Sequence, residues 1–565
     1  MLLTKPDTCV GCPLYGDGKG FVPDKIVPGS KLVVLSQNPG EDEEKGRRLT
    51  GYVTAPPRRQ VPVYETCEHQ PLVGKTGWEW ERSYLPQTSL DRSEVSLANV
   101  LKCRWQHNGK RTNDLPDGAI YKQAVEHCTR SHLRLPASTD VVVAHGAAAL
   151  DVTHPGFKIT EWRGFRLPTK WQAPIEGGGV RDVTVVATLH VADLFREPRM
   201  RNVSKGDWRR VRRLMEGSWP LPLPKRHIVH GDEDVAGAWV LLQEAARERA
   251  RVTVDTEYLY DEQVVPGQHP LTMIGLGWRR PSGEIVGVQV DWTSPFLSLD
   301  GRNHLVAAYR ELIHATTVVF QNGAADIPVL AFNWSIHWGE YAHVEDLMLK
   351  HAVLWCELPH DLEFLASVYG EYDKMKHLAS ADPFTYNWGD VVETLVCEEK
   401  IERELQRDPL SRPAYETLVR LIPIHTAATQ RGIAIDKEAV LPALRLYLNK
   451  QKEAVHMAQA YAGWPINPGS SQQLGRFLYE TLGLPLQKGK KTKAATIDDD
   501  AIAVLRKHVG PAFDAEQEER EGLTVDDALL RIEEGANPAL EARVLYAKAG
   551  QAISHYLLPL LKGVE

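Results

Sequence analysis

Short apolar runs alternate with segments of helical periodicity through most of the chain, and this alternation predicts an α/β fold. In the middle of the chain, β-branched runs predict strands at Val252–Val254, Met273–Gly277 and Ile285–Val290. An amphipathic pattern predicts a helix over Asp234–Arg249. From about Arg412 onward, Leu and Ala recur with helical spacing, so the last part of the chain is expected to be all-α.

A Pro-rich stretch, Ser218–Lys225, interrupts this pattern and predicts a stiff linker. We therefore expect an α/β domain over residues 1–217, a linker over 218–226, a second α/β domain over 227–405 and a helical region over 412–565. A length of 565 residues is compatible with this number of domains.

The composition is that of a globular protein, with 43% hydrophobic and 25% charged residues. A net charge of −8 argues against a surface that is basic throughout, although local basic runs exist at Arg209–Arg213 and Lys488–Lys493. No apolar run approaches the ~20 residues of a membrane span, and the N-terminus has no signal-peptide core. We expect a cytoplasmic protein without membrane association.

Three acidic clusters follow one another in the middle of the chain. In the first, D-x-E on a β-branched run puts both carboxylates on one face of a strand. The other two, N-x3-D and Y-x3-D, place their members one helical turn apart. Converging carboxylates repel one another unless they share divalent metal ions. The candidate residues are Asp255, Glu257, Asn322, Asp326, Tyr386 and Asp390.

The residues around these clusters resemble DnaQ-like 3′–5′ exonucleases of the DEDDy branch, because Phe320–Gly323 matches the F-x-N-G that precedes the second acid. The resemblance implies an RNase H-like domain with a mixed sheet. It also implies that the four acids hold two Mg²⁺ or Mn²⁺ ions, that Tyr386 orients the attacking water and that Asn322 contacts DNA. The expected substrate is a single-stranded 3′ end. The alternative is a degenerate nuclease kept as a DNA clamp.

Four cysteines point to a metal site near the N-terminus. Cys9 and Cys12 are followed at long range by Cys103 and Cys128. Four thiolates are enough to close a tetrahedral zinc site or to bind a 4Fe-4S cluster, and their spacing alone does not choose between the two.

Four motifs in order resemble iron–sulfur uracil-DNA glycosylases over roughly residues 5–215: Ser36–Glu43, Pro71–Gly77, Asn99–Arg104 and Leu189–Arg196. The resemblance implies a three-layer α/β domain and favours the 4Fe-4S cluster on the four cysteines, with zinc as the lesser alternative. The implied base pocket consists of Gln37, Asn38, Glu43, Leu72, Asn99 and His190. Gln37 replaces an acid of the family and Leu72 replaces its stacking aromatic residue. We therefore expect either glycosylase activity or, more readily, a repurposed DNA-binding module.

The segments Leu421–Asp436 and Ile466–Leu474 resemble the thumb of family A DNA polymerases. The resemblance implies contacts with primer–template duplex from Ser470, Gln473, Lys490, Lys491 and Lys493. The palm motifs of that family have no match after the thumb-like segment, so a second polypeptide is expected to supply palm and fingers, unless the chain is truncated. The order of the three parts resembles polymerases of some bacteriophages, which would place the protein in the host cytoplasm.

Three functions remain open from the sequence. The first is the proofreading exonuclease of a split or truncated polymerase. The second is a repair protein that combines base excision with end trimming. The third is a non-catalytic scaffold that grips DNA for a partner polymerase.

Overall fold

The structure is a computed structural model. It describes residues 4–16, 20–55, 59–104, 106–107, 110–111, 118–262, 264–489, 495–511 and 523–562. The chain forms two compact units, one of residues 1–260 and 266–430 and the other of residues 261–265 and 431–565. Within the first unit we distinguish an N-terminal region, residues 4–217, and a central region, residues 227–430, each with its own sheet.

The strands, numbered along the chain, have the following bounds: β1 Leu32–Ser36, β2 Arg47–Ala55, β3 Arg59–Thr66, β4 Ser96–Asn99, β5 Gln106–His107, β6 Lys110–Arg111, β7 Val141–His145, β8 Trp171–Pro174, β9 Val180–Thr188, β10 His227–Val229, β11 Arg251–Tyr258, β12 Leu271–Arg279, β13 Ile285–Asp291, β14 Thr317–Phe320 and β15 His343–Asp346.

The α-helices of the first unit are α1 Glu41–Glu44, α2 Lys75–Glu79, α3 Gly118–His132, α4 Ala147–Thr153, α5 Ile159–Trp162, α6 Val191–Arg196, α7 Arg201–Met215, α8 Asp232–Glu248, α9 Leu299–Ala315, α10 Gly323–Trp334, α11 Leu347–Leu354, α12 Leu362–Tyr369, α13 Pro383–Arg407 and α14 Ser411–Arg431, whose last residue opens the second unit. The second unit contains α15 Lys437–Ala462, α16 Ser471–Arg476, α17 Asp499–His508, α18 Val525–Glu533, α19 Pro538–Gln551 and α20 Leu558–Lys562.

The N-terminal sheet has the order β4-β1-β7-β9-β8, in which all neighbours except β8 and β9 are parallel. Strands β1 and β7 are buried at every position because helices cover both faces of a parallel sheet. One core, which includes Val142 and Val185, lies on one face, and a second core, which includes Val143, Trp80 and Trp208, lies on the other. This arrangement confirms the three-layer α/β fold.

The central sheet has the order β10-β13-β12-β11-β14-β15, with antiparallel β11–β12–β13 and parallel β11–β14–β15 pairings. The predicted mixed sheet, its three strands and the helix α8 are therefore confirmed, with element ends that differ by a few residues. Helix α13 packs across β11 and β12. Its approach depends on Gly287, where an added Cβ would lie 2.4 Å from the Trp388 ring.

The Pro-rich segment is packed between the two regions of the first unit. Trp219 is buried, Leu221 N donates to Glu371 O at 2.9 Å and Trp388 Nε1 donates to Pro224 O at 2.8 Å. The segment predicted as a linker thus contributes to the packing of the central region.

The second unit is helical, as the sequence predicts. Its core joins the long helices α15 and α19 with shorter ones, through residues such as Leu474, Phe477, Leu505 and Leu545. None of the helices among the described residues of the chain combines the length and the hydropathy of a membrane span.

Candidate nuclease site and N-terminal pocket

Three elements of the central region bring the predicted acids together. Asp255 and Glu257 lie on β11, Asp326 lies in the first turn of α10 and Asp390 lies near the start of α13. Asn322 stands immediately before α10 in a left-handed conformation, with φ 69°. The start of this helix is held by Asp346, whose Oδ2 accepts from Gly323 N at 2.7 Å.

Neutral side chains fix the orientation of these carboxylates. Asn387 Nδ2 donates to Asp255 Oδ2 at 2.7 Å. Thr256 donates to Asp326 Oδ1 from Oγ1 at 2.7 Å and from its backbone N at 3.1 Å. The Tyr386 hydroxyl donates to Asp390 one turn further along α13. The ligand atoms are therefore positioned in the folded chain before any cation binds.

The electrostatics of the four acids are those of like charges confined together. Burial raises the pKa of Asp255 well above its usual value, and the charges of Asp390, Asp326 and Glu257 add to this rise. Burial is also the main reason that the pKa of Glu257, of Asp326 and of Asp390 rises to about 7. A divalent cation bound among these acids would relieve their repulsion, so the cluster is a candidate cation site.

The site opens into a cleft of about 270 Å³. Asp255, Tyr386 and Asp390 line it, together with Gln321 and the segment 373–376. The hard oxygen ligands, their mutual repulsion and their access to solvent fit the two divalent metals that the sequence predicts.

A second acidic cluster in the same region has the opposite character. Glu345, Glu398 and Glu402 place carboxylate oxygens within 4.8 Å of one another. The fully buried Lys350 ammonium lies between them, 2.7 Å from Glu398 and 2.6 Å from Glu402, and it also donates to Glu345. Arg251 also pairs with Glu345 and Glu398, and Arg412 pairs with Glu402, so cations of the chain itself neutralise this cluster and it is structural.

The four predicted cysteines line one cavity together with Lys5 and His132. Burial raises the pKa of Cys103 to about 11 and that of Cys128 to about 12, so both are thiols until a metal displaces their protons. Among the described residues, no three of the Sγ atoms lie within 4.8 Å of one another. One zinc ion would need Sγ atoms ~3.8 Å apart, from Zn–S bonds of about 2.3 Å. The four side chains are therefore not preset for one zinc ion.

The predicted base pocket lies at the carboxyl edge of the N-terminal sheet. Gln37 and Asn38 follow β1, Asn99 ends β4 and His190 follows β9, and these strands are parallel. Ligand sites of parallel sheets form at this edge. Glu43 and Leu72 lie against each other, because Leu72 N donates to Glu43 Oε1 at 2.5 Å.

The polar groups of this N-terminal pocket are mostly bonded to the protein itself. Glu43 Oε2 also accepts from Gly40 N at 2.5 Å, and burial raises the pKa of Glu43 to about 7. His190 Nδ1 accepts from Ala192 N at 3.3 Å, and burial lowers the pKa of His190 to about 4, so the neutral ring carries its proton on Nε2. The Asn99 Nδ2 atom is buried and has no hydrogen-bond partner among the described residues.

In the C-terminal unit, Ser470 and Gln473 are used in local structure. Ser470 Oγ accepts from Gln473 N at 3.3 Å and so caps α16, and Gln473 Oε1 accepts from Asn467 N at 2.9 Å. Lys490, Lys491 and Lys493 lie outside the described residues. Their predicted contacts with DNA stay a prediction.

Several residues of the site were not predicted from the sequence. Asn387 is fully buried inside the third motif. Its polar side chain, between Tyr386 and Asp390 in the sequence, is the feature from which it could have been predicted. Thr256 lies between the two acids of the first motif. Lys376 in the cleft and Asp346 behind α10 belong to no motif, because distant parts of the chain bring them to the site.

Comparison with known proteins gives distant likenesses. No family model matches the chain. A type-4 uracil-DNA glycosylase of Thermotoga maritima is 25% identical over 188 residues, which are 33% of this chain and 78% of that protein. The POL domain of Pol1 from M. smegmatis in complex with primer–template DNA and dNTP aligns with a TM-score of 0.41 and 16% identity over 59% of this chain. The chain spans about half, 49%, of that structure. RNase D of Escherichia coli aligns with a TM-score of 0.28 and 14% identity, over 58% of this chain and 75% of that one.

Proposed function

We propose that the central region is a metal-dependent 3′–5′ exonuclease acting on single-stranded DNA ends. The observation that carries this proposal is the convergence of Asp255, Glu257, Asp326 and Asp390 beside a cleft that Asp255 and Asp390 line. Burial raises the pKa of all four acids, and repulsion from the other acids adds to the rise for Asp255 and Glu257. The order of the three motifs and the hydroxyl of Tyr386 beside Asp390 support the same reaction class.

The four carboxylates would hold two Mg²⁺ or Mn²⁺ ions, which supply Lewis-acid polarisation of the phosphate and a water of lowered pKa. Asn387 and Thr256 keep the oxygens of Asp255 and Asp326 aimed at fixed positions. Tyr386, whose O–H bonds to Asp390, orients the water that attacks the last phosphodiester. The open side of the cleft admits the 3′ end.

Incubation of the full chain with end-labelled single-stranded DNA tests this proposal. A 5′-labelled strand should shorten stepwise in Mg²⁺ or Mn²⁺ and remain intact in EDTA. The double variant Asp255→Ala/Glu257→Ala should be inactive, whereas Asp300→Ala, which removes an exposed acid on α9, should match the parent. Equal activity of the double variant and the parent would refute the assignment.

A second function, removal of uracil from DNA, is favoured by the 25% identity to the Thermotoga enzyme and by the unpartnered Asn99 amide in the N-terminal pocket. The amide and the Nε2–H of His190 could together recognise a base flipped into the pocket. Alkali-labile sites in uracil-containing DNA should then appear with the parent and disappear with Asn99→Ala, and no release of uracil by the parent would leave this region a DNA-binding or structural module.

We further propose a 4Fe-4S cluster on the four cysteines, supported by the cavity that they share and by the resemblance of the surrounding motifs to iron–sulfur uracil-DNA glycosylases. Protein purified without oxygen should contain about four irons per chain. Cys103→Ser should lower the iron content, and one zinc per chain in the parent would overturn the assignment. The thumb-like resemblance supports a role beside a partner that carries polymerase palm and fingers, in the replication system of a bacteriophage.

A further inference from the structure

One wall of the carboxylate cleft comes from the segment 370–378, which links α12 to α13. Residues 373–376 of this segment line the cleft together with Asp255 and Asp390. Phe165 of the N-terminal region lines the same cleft. The candidate active site is therefore built from both regions of the first unit.

The segment 370–378 is held by the central region, through bonds from its backbone to Glu393, and also by the N-terminal region and the Pro-rich segment. The hydrogen bonds run from Arg210 Nη2 to Gly370 O (2.9 Å), from Leu221 N to Glu371 O (2.9 Å), from Arg166 Nε to Asp373 Oδ2 (2.6 Å) and from Lys374 Nζ to Glu161 O (2.6 Å). The Trp162 and His377 rings lie 5.8 Å apart in the same seam. These contacts fix the shape of the cleft wall.

A groove of about 480 Å³ continues from the cleft along this seam. Asp373, Lys374 and Met375 line both the cleft and the groove. The remaining walls are Arg166 and Pro168 of the N-terminal region, residues 220–223 of the Pro-rich segment, and His377. A mostly apolar surface with cations at its edge suits nucleobases and phosphates.

Two accessible cations lie along this path, Lys376 in the cleft and Arg166 in the groove. The Lys374 ammonium is buried against Glu363 and Glu161 O, but the Lys376 side chain is 67% exposed and lies 3.3 Å from Glu363. The Arg166 side chain is 42% exposed and pairs with Asp373. Exposed ion pairs of this kind stabilise a fold by little, so a phosphate can replace the carboxylate partner at small cost.

We propose that the seam groove binds the single-stranded nucleic acid that leads to the scissile 3′ end, with Arg166 of the groove and Lys376 of the adjoining cleft contacting its phosphates. The N-terminal region then acts as half of the substrate channel of the exonuclease, whether or not it excises bases. This inference rests on the proposed exonuclease function and adds the path of its substrate.

The test compares Arg166→Ala and Lys376→Ala in the full chain with the control Arg181→Ala. Arg181 is matched because its side chain is 41% exposed and pairs with Asp140, in the same region but outside the groove. On strands of ten or more nucleotides each groove variant should raise KM by about tenfold and lower the salt slope by about one unit. The effect of Arg166→Ala should shrink on trinucleotides, which are too short to leave the cleft, whereas that of Lys376→Ala should persist because Lys376 lines the cleft.

The variant Asp373→Ala distinguishes two roles of Arg166. In one, Arg166 binds a phosphate of the substrate, and in the other it only holds Asp373 in the cleft wall. If Arg166 serves only to hold Asp373, this variant should impair cleavage as Arg166→Ala does. If Arg166 binds phosphate, removal of the competing carboxylate should leave KM unchanged or lower. A KM for Arg166→Ala equal to that of Arg181→Ala at every strand length would overturn the inference.

The inference can fail separately from the proposed function. If the parent does not cleave DNA, the proposed function fails, and the groove is then tested by fluorescence anisotropy of a labelled oligothymidylate in EDTA. Weaker binding by both groove variants, with Arg181→Ala unchanged, supports the groove, whereas equal binding by all three overturns it.

Discussion

In the N-terminal pocket the buried carboxylate of Glu43 receives N–H bonds from Gly40 and Leu72, whereas in the central region the carboxylates of Asp255 and Asp390 face other carboxylates. Both environments raise the pKa of the acid, and burial is the main cause in each. The difference lies in the partners. The backbone of this chain already satisfies Glu43, whereas the central acids face one another and a divalent cation would relieve their repulsion.

The acids around Lys350 complete the comparison. There the chain supplies its own cation, and three carboxylates meet without needing a metal. Convergence of acids alone therefore does not identify a metal site. The distinguishing feature is that no lysine or arginine among the described residues forms a salt bridge with the central acids, since Lys376, whose charge lowers the pKa of Asp390, pairs with Glu363. Two of these acids, Asp255 and Asp390, also border an open cleft.

The largest expected effect on cleavage comes from substitutions in the carboxylate site of the central region. Asp390→Ala removes a hard oxygen ligand and should lower the single-turnover rate of 3′ cleavage by about a thousandfold or more, with DNA binding retained. Tyr386→Phe should cost about ten- to a hundredfold, because it disturbs the water and leaves the ligands in place. Glu43→Gln should change the rate less than twofold. A large loss with Glu43→Gln would show that the two sites are not independent.

A smaller effect concerns pH and metal. Because folding raises these carboxylate pKa values, their contribution to stability is fully present below about pH 4 and is lost as pH rises through about 7. Without metal, the melting temperature should therefore fall between pH 5 and pH 8 by about 5 °C, and Mg²⁺ or Mn²⁺ should restore it mainly at pH 8.

Variants assign this pH dependence to the two regions. Asp390→Asn should reduce the fall in melting temperature between pH 5 and pH 8, and it should also reduce the rise in melting temperature that metal causes at pH 8. Glu43→Gln should also reduce the fall in melting temperature, but only the part of the fall that metal does not reverse. The reason is that the Glu43 carboxylate is bonded within the chain. Differential scanning calorimetry with and without EDTA makes the measurement. A metal response that is equal at pH 5 and pH 8 would contradict the assignment of the raised pKa values to the metal ligands.

Local geometry explains how much of the site the sequence could predict. The two-residue period of β11 puts Asp255 and Glu257 on one face, and the turn of α13 places Tyr386 beside Asp390. The seam could not be predicted, because Arg166 and Asp373 are 207 residues apart and neither belongs to a motif. The sequence also predicted a linker at the Pro-rich segment, and periodicity carries no information on what such a segment packs against.

The smallest expected effect concerns the thumb-like segment, where the prediction still rests on the sequence alone. If Lys490, Lys491 and Lys493 contact phosphates, replacing all three by Ala should flatten the dependence of log Kd on log salt by about one unit for each phosphate that is no longer bound. The affinity for duplex should fall similarly for unrelated sequences, because phosphate contacts carry no base information.

Lys450 and Lys452 of α15 provide the matched control in the same unit. Fluorescence anisotropy over a salt series measures both. Equal slopes in the parent, the triple variant and the control would remove this loop from the DNA interface, while the carboxylate site and the seam groove would be judged by their own tests.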